Sequence, residues 1–252
     1  MDFSNKKIII FDLDGTLTES KADMDAEMAD LICRLLKEKY VAVIGGGSWR
    51  QFEEQFLRRL LCPKENLHRL HLFPTTATRY FEYVNTEWKE VYADILSTEE
   101  KTKIFGTFAK SLEKAGYKKP ERVWGELIED RDTQVTFSAL GQQAPIEDKK
   151  QWNKANNAIR EKAATILREL LPEFEVRTGG LTSIDITKKG IDKAYGVRQI
   201  ERALQIPISE MLFVGDALYP GGNDHAALDT GIEATQVNGP QETKDLIRGW
   251  VR

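Results

Sequence analysis

The sequence predicts an α/β fold: a doubly wound core with a mostly parallel sheet, interrupted by an inserted α+β unit. Three observations carry this expectation. Short, β-branched runs at residues 7–11 and 40–48 are each followed by a helical pattern, and the same alternation returns over residues 193–215. Between them lies a hairpin-like pair of strands flanked by two long helical patterns. Alternating strands and helices favour a parallel sheet covered on both faces, whereas helices beside an antiparallel hairpin favour an α+β unit.

The elements follow in order. Residues 7–11, "KIIIF", are short, apolar and β-branched, as a strand buried on both faces should be. Residues 24–39 then repeat Met28, Leu31, Ile32, Leu35 and Leu36 at helical spacing. "YVAVIGGGS" at 40–48 predicts a second buried strand ending in glycines, and residues 51–61 a second helix. Past residues 68–73 the character changes, and residues 88–180 look like a separate unit. Ser97 and Glu100 form a capping box for a helix reaching about Lys114, with an apolar stripe of Ile104, Phe105, Phe108 and Leu112. "RVWGELIEDR" and "TQVTFSAL" read as two strands joined tightly at Asp132. A helix over 152–171 is stopped by Pro172. The α/β rhythm resumes with a helix over 193–204 and the strand "EMLFVG" at 210–215; no repeat, low-complexity tract or flexible linker interrupts it.

With 252 residues and a formal net charge of −4, the chain has room for a core plus a second module and lacks a dense basic block. Nucleic acid is therefore not an expected partner. The apolar stretches are strand-sized and the N-terminus has no apolar leader, so neither a membrane span nor a signal peptide is expected. Cys33 and Cys62 have no metal-ligand spacing and read as two reduced, buried thiols with no disulfide, in a cytoplasmic protein.

The chemistry starts at "DLDGT", residues 12–16. If the strand continues past Phe11, alternation places Asp12 and Asp14 on one side, and two such charges need a cation or a shared proton. The strand at 210–215 leads into Asp216, and the carboxyl ends of parallel strands share one edge. Asp12, Asp14 and Asp216 are thus expected to converge on a Mg2+ ion, which favours hard oxygen ligands and retains waters or a phosphate oxygen. Alone, an Asp pair at a strand end is more often a turn or a cap. "IGGGS" is not followed by the Gly-Lys-Ser/Thr of a P-loop, and His68, His71 and His225 share no ligand spacing, so these read as structural.

Taken together the motifs resemble the haloacid dehalogenase superfamily of aspartyl-phosphate phosphotransferases. "DLDGT" is similar to its first motif, Ser48 to its second, Lys193 to its third and "GDALYPGGND" at 215–224 to its fourth. "GIDKAYGV" and "PGGNDH" are especially similar to the eukaryotic-type phosphomannomutases, members of subclass IIB, whose cap lies between the second and third motifs. "IEDR", "FSALG" and "GGLTSID" fall where that group has its substrate loops.

The resemblance implies a Rossmann-like catalytic core at 1–87 and 184–252 and an α+β cap at 88–183. It implies Asp12 as nucleophile and Asp14 as acid and base. Ser48, Gly46 and neighbouring amides would hold the phosphoryl oxygens and Lys193 would neutralise charge. Asp12, the carbonyl of Asp14 and Asp216 would bind the metal, with Asn223 and Asp224 closing the site. Arg131, Gln142, Lys149, Ser183 and Asp185 would bind substrate. Gln142 and Lys149 stand where the mutases carry arginines, and a bidentate guanidinium is not replaced conservatively by either. The leading expectation is therefore a Mg2+-dependent phosphatase of a small phosphorylated metabolite, a sugar phosphate, working through phospho-Asp12. The alternatives are a phosphomannomutase or phosphoglucomutase, and a non-catalytic phosphosugar-binding protein. A homodimer through the cap is a further implication of the resemblance.

Overall fold

The computed structural model describes residue 3, residues 5–20 and residues 22–251. The chain divides into two compact units, Met1–Ala93 with Asp192–Arg252, and Asp94–Ile191.

The first unit is a seven-stranded sheet. Its strands are β1 (Ile8–Asp12), β2 (Tyr40–Ile44), β3 (Leu70–Phe73), β4 (Arg79–Val84), β5 (Glu87–Ala93), β10 (Met211–Gly215) and β11 (Glu233–Gln236). They are ordered β11-β10-β1-β2-β3-β4-β5. β11, β10, β1, β2 and β3 run parallel, and β4 and β5 add an antiparallel edge. One face packs Ile9, Phe11, Val41, Val43, Leu212 and Val214 against helices α1 (Ala26–Leu35), α2 (Trp49–Gln55) and α6 (Pro240–Trp250). The other face packs Ile8, Ile10, Ala42, Ile44, Met211 and Phe213 against Val197 and Ile200 of α5 (Lys193–Leu204). Burial on both faces is why these strands read as unbroken apolar runs.

The second unit is an antiparallel sheet of β6 (Ile128–Asp130), β7 (Val135–Ser138), β8 (Phe174–Gly179) and β9 (Ser183–Lys188), ordered β6-β7-β9-β8. Helices α3 (Thr98–Ala115) and α4 (Ile146–Leu170) supply Ile104, Phe108, Ala163 and Leu167 to a core shared with Val135, Phe137, Ile184 and Ile186. The alternate positions form a polar row by register, Glu129 opposite Thr136, Thr136 opposite Asp185 and Asp185 opposite Arg177.

Several expectations change. The unit boundaries move from 87/88 and 183/184 to 93/94 and 191/192, because β5 pairs with β4 in the first sheet and β9 pairs with β7 and β8 in the second. α1 and α2 are shorter than predicted, and a 3-10 turn at Leu57–Arg59 replaces the end of the second helix. α4 begins at Ile146, six residues before the predicted start at 152. The two cysteines are not separate thiols. Cys33 and Cys62 form a disulfide, with Cα atoms 5.1 Å apart and a sequence separation of 29. Spacing along the chain could not show this, because the fold itself brings α1 beside the segment that follows α2. Cysteine usage accordingly no longer argues for a reducing compartment. Among the described residues no helix is long and apolar enough to cross a membrane.

Candidate active site

β1 and β10 are neighbours in parallel register, with Phe11 opposite Val214, so Asp12 and Asp216 emerge from the same sheet edge. After Asp12 the chain does not stay extended. Leu17 and Thr18 donate their amides to the Leu13 carbonyl at 3.0 and 3.1 Å, and the Gly15 amide reaches the Thr18 carbonyl at 2.7 Å. Gly15 has φ +90°, and a β-carbon there would lie 2.5 Å from Asp216 Oδ2, so both the turn and the approach of Asp216 require glycine. Thr16 Oγ1 faces Asp216 Oδ1 at 3.5 Å.

Lys193 is the first residue of α5, which Asp192 caps by accepting from the Tyr195 amide at 2.8 Å. A cation at a helix N-terminus opposes the macrodipole. Here two carboxylates offset that, since Lys193 Nζ lies 2.5 Å from Asp12 Oδ1 and 3.1 Å from Asp224 Oδ1. It also donates to the Ile44 carbonyl at 3.0 Å, at the carboxyl end of β2. Asp12, Lys193 and Asp224 are all buried. Asp224 is fixed in turn by the Ala217 amide, which donates to its Oδ2 at 3.2 Å.

One carboxylate oxygen from each of Asp12, Asp216 and Asp224 lies within 4.8 Å of the others. Three acids face one lysine, and Asp12 Oδ2 is buried without a hydrogen-bond partner. Burial pushes the Asp12 carboxyl well above its ordinary range; Lys193 opposes this, while Asp224 and Asp216 add to it. Asp216 is raised by burial and by Asp224. Burial alone would lower Lys193, but Asp12 and Asp224 outweigh it and hold the ammonium charged. An excess of hard oxygens with an orphaned lone pair fits a divalent cation such as Mg2+.

The acidic trio differs from the expected one. Asp224 takes the place predicted for the Asp14 carboxylate, because β1 ends at Asp12 and the turn held by Leu13 and Gly15 breaks the alternation that would have aligned Asp14. The backbone of Asp14 forms an isolated β-bridge with that of Thr18. Asn223 Nδ2 lies 3.5 Å from Asp224 Oδ1, beside the cluster. Ser48 is the N-cap of α2. Its hydroxyl accepts from the Gln51 amide at 3.4 Å while its own amide donates to Gln51 Oε1 at 2.8 Å. Asp12 sits opposite Ile44 in the β1–β2 pair, so the Gly45–Gly46–Gly47 loop leaves the sheet directly beside the nucleophile candidate.

In the second unit, Asp185 Oδ1 accepts from Thr136 Oγ1 at 2.7 Å and Gln134 Nε2 at 3.1 Å. Ser183 lies on the same face of β9, opposite Ser138. Arg131, a buried residue, donates from its guanidinium Nε to Glu129 Oε2 at 2.8 Å, and a second guanidinium nitrogen lies 2.7 Å from the same oxygen. Lys149 is buried and donates from Nζ to the Gln142 carbonyl at 2.8 Å. Sequence reasoning missed Thr16, Glu129, Thr136 and Gln134. The strand alternation of "IEDR" and "TQVTFSAL" carried the signal for Glu129 and Thr136, since it separates polar from core positions.

Residues 28–251 match the family model for eukaryotic phosphomannomutase. The chain belongs to that family. Its relatives include the phosphomannomutase of Encephalitozoon cuniculi, 27% identical over 243 residues, covering 94% of this chain and 91% of that protein. The phosphomannomutase of Solanum lycopersicum is 28% identical over 252 residues, covering 94% of this chain and 90% of that one. Among solved structures, a haloacid dehalogenase-like hydrolase from Bacteroides thetaiotaomicron superposes with a TM-score of 0.64 at 13% identity, over 97% of this chain and 99% of that one. The C-terminal domain of the trehalose-6-phosphate phosphatase of C. albicans gives a TM-score of 0.65 at 18% identity, over 98% and 94%. These likenesses show a fold shared with a haloacid dehalogenase-like hydrolase, and family membership makes the protein a phosphomannomutase-like enzyme.

Proposed function

We propose that the protein transfers the phosphoryl group of a phosphosugar to Asp12 and from there to water, with Mg2+ as cofactor. The observation that supports this most is the buried Asp12 carboxylate, whose Oδ1 is held by Lys193 while Oδ2 has no partner. Asp12 attacks phosphorus in line and the bond to the sugar oxygen breaks. Asp14 gives its proton to that oxygen, then takes one from a water that attacks phospho-Asp12, which releases phosphate and restores the carboxylate. Lys193 orients Asp12 and offsets part of the burial that disfavours its charged form, and the Ser48 hydroxyl with the amides of the Gly46 loop binds the phosphoryl oxygens. Asp12, Asp216, Asp224 and the Asp14 carbonyl would hold Mg2+, which would offset the negative charge of the phosphoryl group when bound.

Hydrolysis is favoured over isomerisation by the second unit. Its substrate-binding candidates bring little uncommitted positive charge: Glu129 grips Arg131, the Gln142 carbonyl holds Lys149, and Gln142 itself is neutral. A mutase has to hold a bisphosphate in both orientations, which calls for strong cations. The second reading, a phosphohexomutase in which Asp14 activates a sugar hydroxyl, is favoured by the family match spanning both units. Hexose 1-phosphate supplied with Mg2+ and a trace of hexose 1,6-bisphosphate separates the two. Phosphate release supports the first, whereas isomer formation without phosphate release overturns it. Asp12→Asn should abolish either reaction, and binding of the sugar phosphate without any turnover would sink both.

A further inference from the structure

Three consecutive residues without a glycine among them occupy the left-handed region: Thr75 at φ 49°, Thr76 at 57° and Ala77 at 63°. L-residues adopt this conformation at a steric penalty, least tolerably when β-branched, and such segments persist only where their surroundings over-determine them. Here the surroundings are two parts of the candidate active site. The Thr75 amide donates to the Gly47 carbonyl at 2.9 Å and the Thr76 amide to the Gly45 carbonyl at 2.9 Å, so the turn clamps both ends of the glycine loop that leads into Ser48. On its other side the turn meets α5. A β-carbon on Gly196 would overlap Ile44 Cδ1 and lie 3.4 Å from the Ala77 methyl, which places this part of the helix hard against β2 and the turn. Lys193 lies one turn earlier on that helix, tied to the Ile44 carbonyl and to Asp12. The turn is itself braced, since Thr78 Oγ1 donates to the Thr75 carbonyl at 2.8 Å and Tyr92 donates to the Ala77 carbonyl at 2.9 Å.

We infer that Thr75, Thr76 and Ala77 form a positioning wedge that sets the Gly45–Ser48 loop and the Lys193 helix in mutual register for phosphoryl transfer. The inference deepens the proposed reaction and rests on it for its kinetic test. The threonine amides reach the Gly47 and Gly45 carbonyls only while the segment stays in the left-handed well, so the bonds and packing that hold the threonines there against their own preference also hold the loop. Glycine satisfies the same torsions without strain but moves freely away from them.

The test compares wild type with Thr75→Gly/Thr76→Gly and with Thr76→Asn, since asparagine tolerates the left-handed region while keeping a side chain. In the glycine pair the melting temperature should hold or rise, because strain is removed. The amides of the Gly46–Ser48 segment should exchange with solvent on the order of tenfold faster. Its kcat for hexose 1-phosphate should fall on the order of tenfold or more, with KM within about twofold, as expected when reacting groups are misplaced rather than substrate binding lost. Thr76→Asn should stay near wild type in exchange and in kcat. Unchanged exchange and kcat in the glycine pair would overturn the wedge, as would a lowered melting temperature that accounts for the lost activity. If wild type itself turns over no phosphoester, the proposed function fails, and the exchange comparison alone still decides whether the turn positions the loop.

Discussion

Lys193 and Asp12 have opposite relations to stability, although they share one ion pair. Removing Lys193 leaves Asp12 and Asp224 buried without their cation, and stranding a buried charge in this way typically costs about 3 kcal/mol or more. Lys193→Met should therefore lower the urea midpoint clearly, with Mg2+ restoring part of the loss. Asp12→Asn removes one of three crowded carboxylates, so it should abolish phosphoryl transfer while leaving stability unchanged or higher by about 1 kcal/mol. An Asp12→Asn protein that unfolds as readily as Lys193→Met would contradict this reading of the cluster. Away from the site, His71 is buried, faces the Tyr80 hydroxyl at 2.9 Å and has its imidazole pulled down to about 4 by burial, with a smaller contribution from His68. Between about pH 6.5 and 4 the unfolded chain binds a proton that the folded one refuses, so stability is lost as pH falls through that window. From pH 7 to 5 this should amount to about 2 kcal/mol at most, and urea titrations at the two pH values should show the loss shrinking in His71→Gln. At this scale the sequence revealed Asp12, Lys193 and Asp216 because each follows or opens a strongly patterned element. It did not foresee that the Asp224 carboxylate would join Asp12 and Asp216, because the turn after Asp12, closed by backbone bonds to Leu13, leaves no mark on side-chain periodicity.

Among the elements, legibility tracked the strength of local caps. α5 was bounded correctly because Asp192 caps it, and α3 because Ser97 and Glu100 close a reciprocal capping box. α4 was started late because its first turns, rich in charge after Pro145, have no side-chain cap and no continuous apolar stripe; their anchor is the buried Lys149. The β4–β5 hairpin went unread because its tip, Asn85–Thr86, takes φ values of 52° and 70° without the glycine that usually announces such a turn. The disulfide belongs to this scale as well. It ties α1 to the chain beyond α2 and encloses β2, the glycine loop and Ser48. With Cys33 and Cys62 separated by 29 residues, loop-closure entropy puts the bond at about 3 to 4 kcal/mol. Cys33→Ser/Cys62→Ser should lower the unfolding free energy by an amount of this order in denaturant titrations, while the chemistry at Asp12 continues in the folded fraction. An unchanged midpoint would show that the two sulfurs are not joined in solution.

The described residues form two units with separate apolar cores, and the first is built from the chain segments that precede and follow the second in sequence. The sequence showed this organisation because the α/β alternation stops and then resumes, but it placed the seams several residues away from where the strands pair. The separation has a thermodynamic consequence. Asp12, Asp216 and Asp224 all lie in the first unit, so a cation bound by them stabilises that unit directly, by about 2.7 kcal/mol at a hundredfold excess over its dissociation constant. For a unit of this size each kcal/mol is worth about 2–4 °C in melting temperature. Calorimetry with Mg2+ against chelator should therefore move the transition that reports the first unit upward by roughly 5–10 °C. If the units melt separately, the transition of the Asp94–Ile191 unit should stay in place, because none of the three acids belongs to it. Asp216→Asn should remove most of the shift. A shift confined to the second transition, or one that survives Asp216→Asn intact, would place the cation elsewhere and detach the acidic cluster from the proposed chemistry.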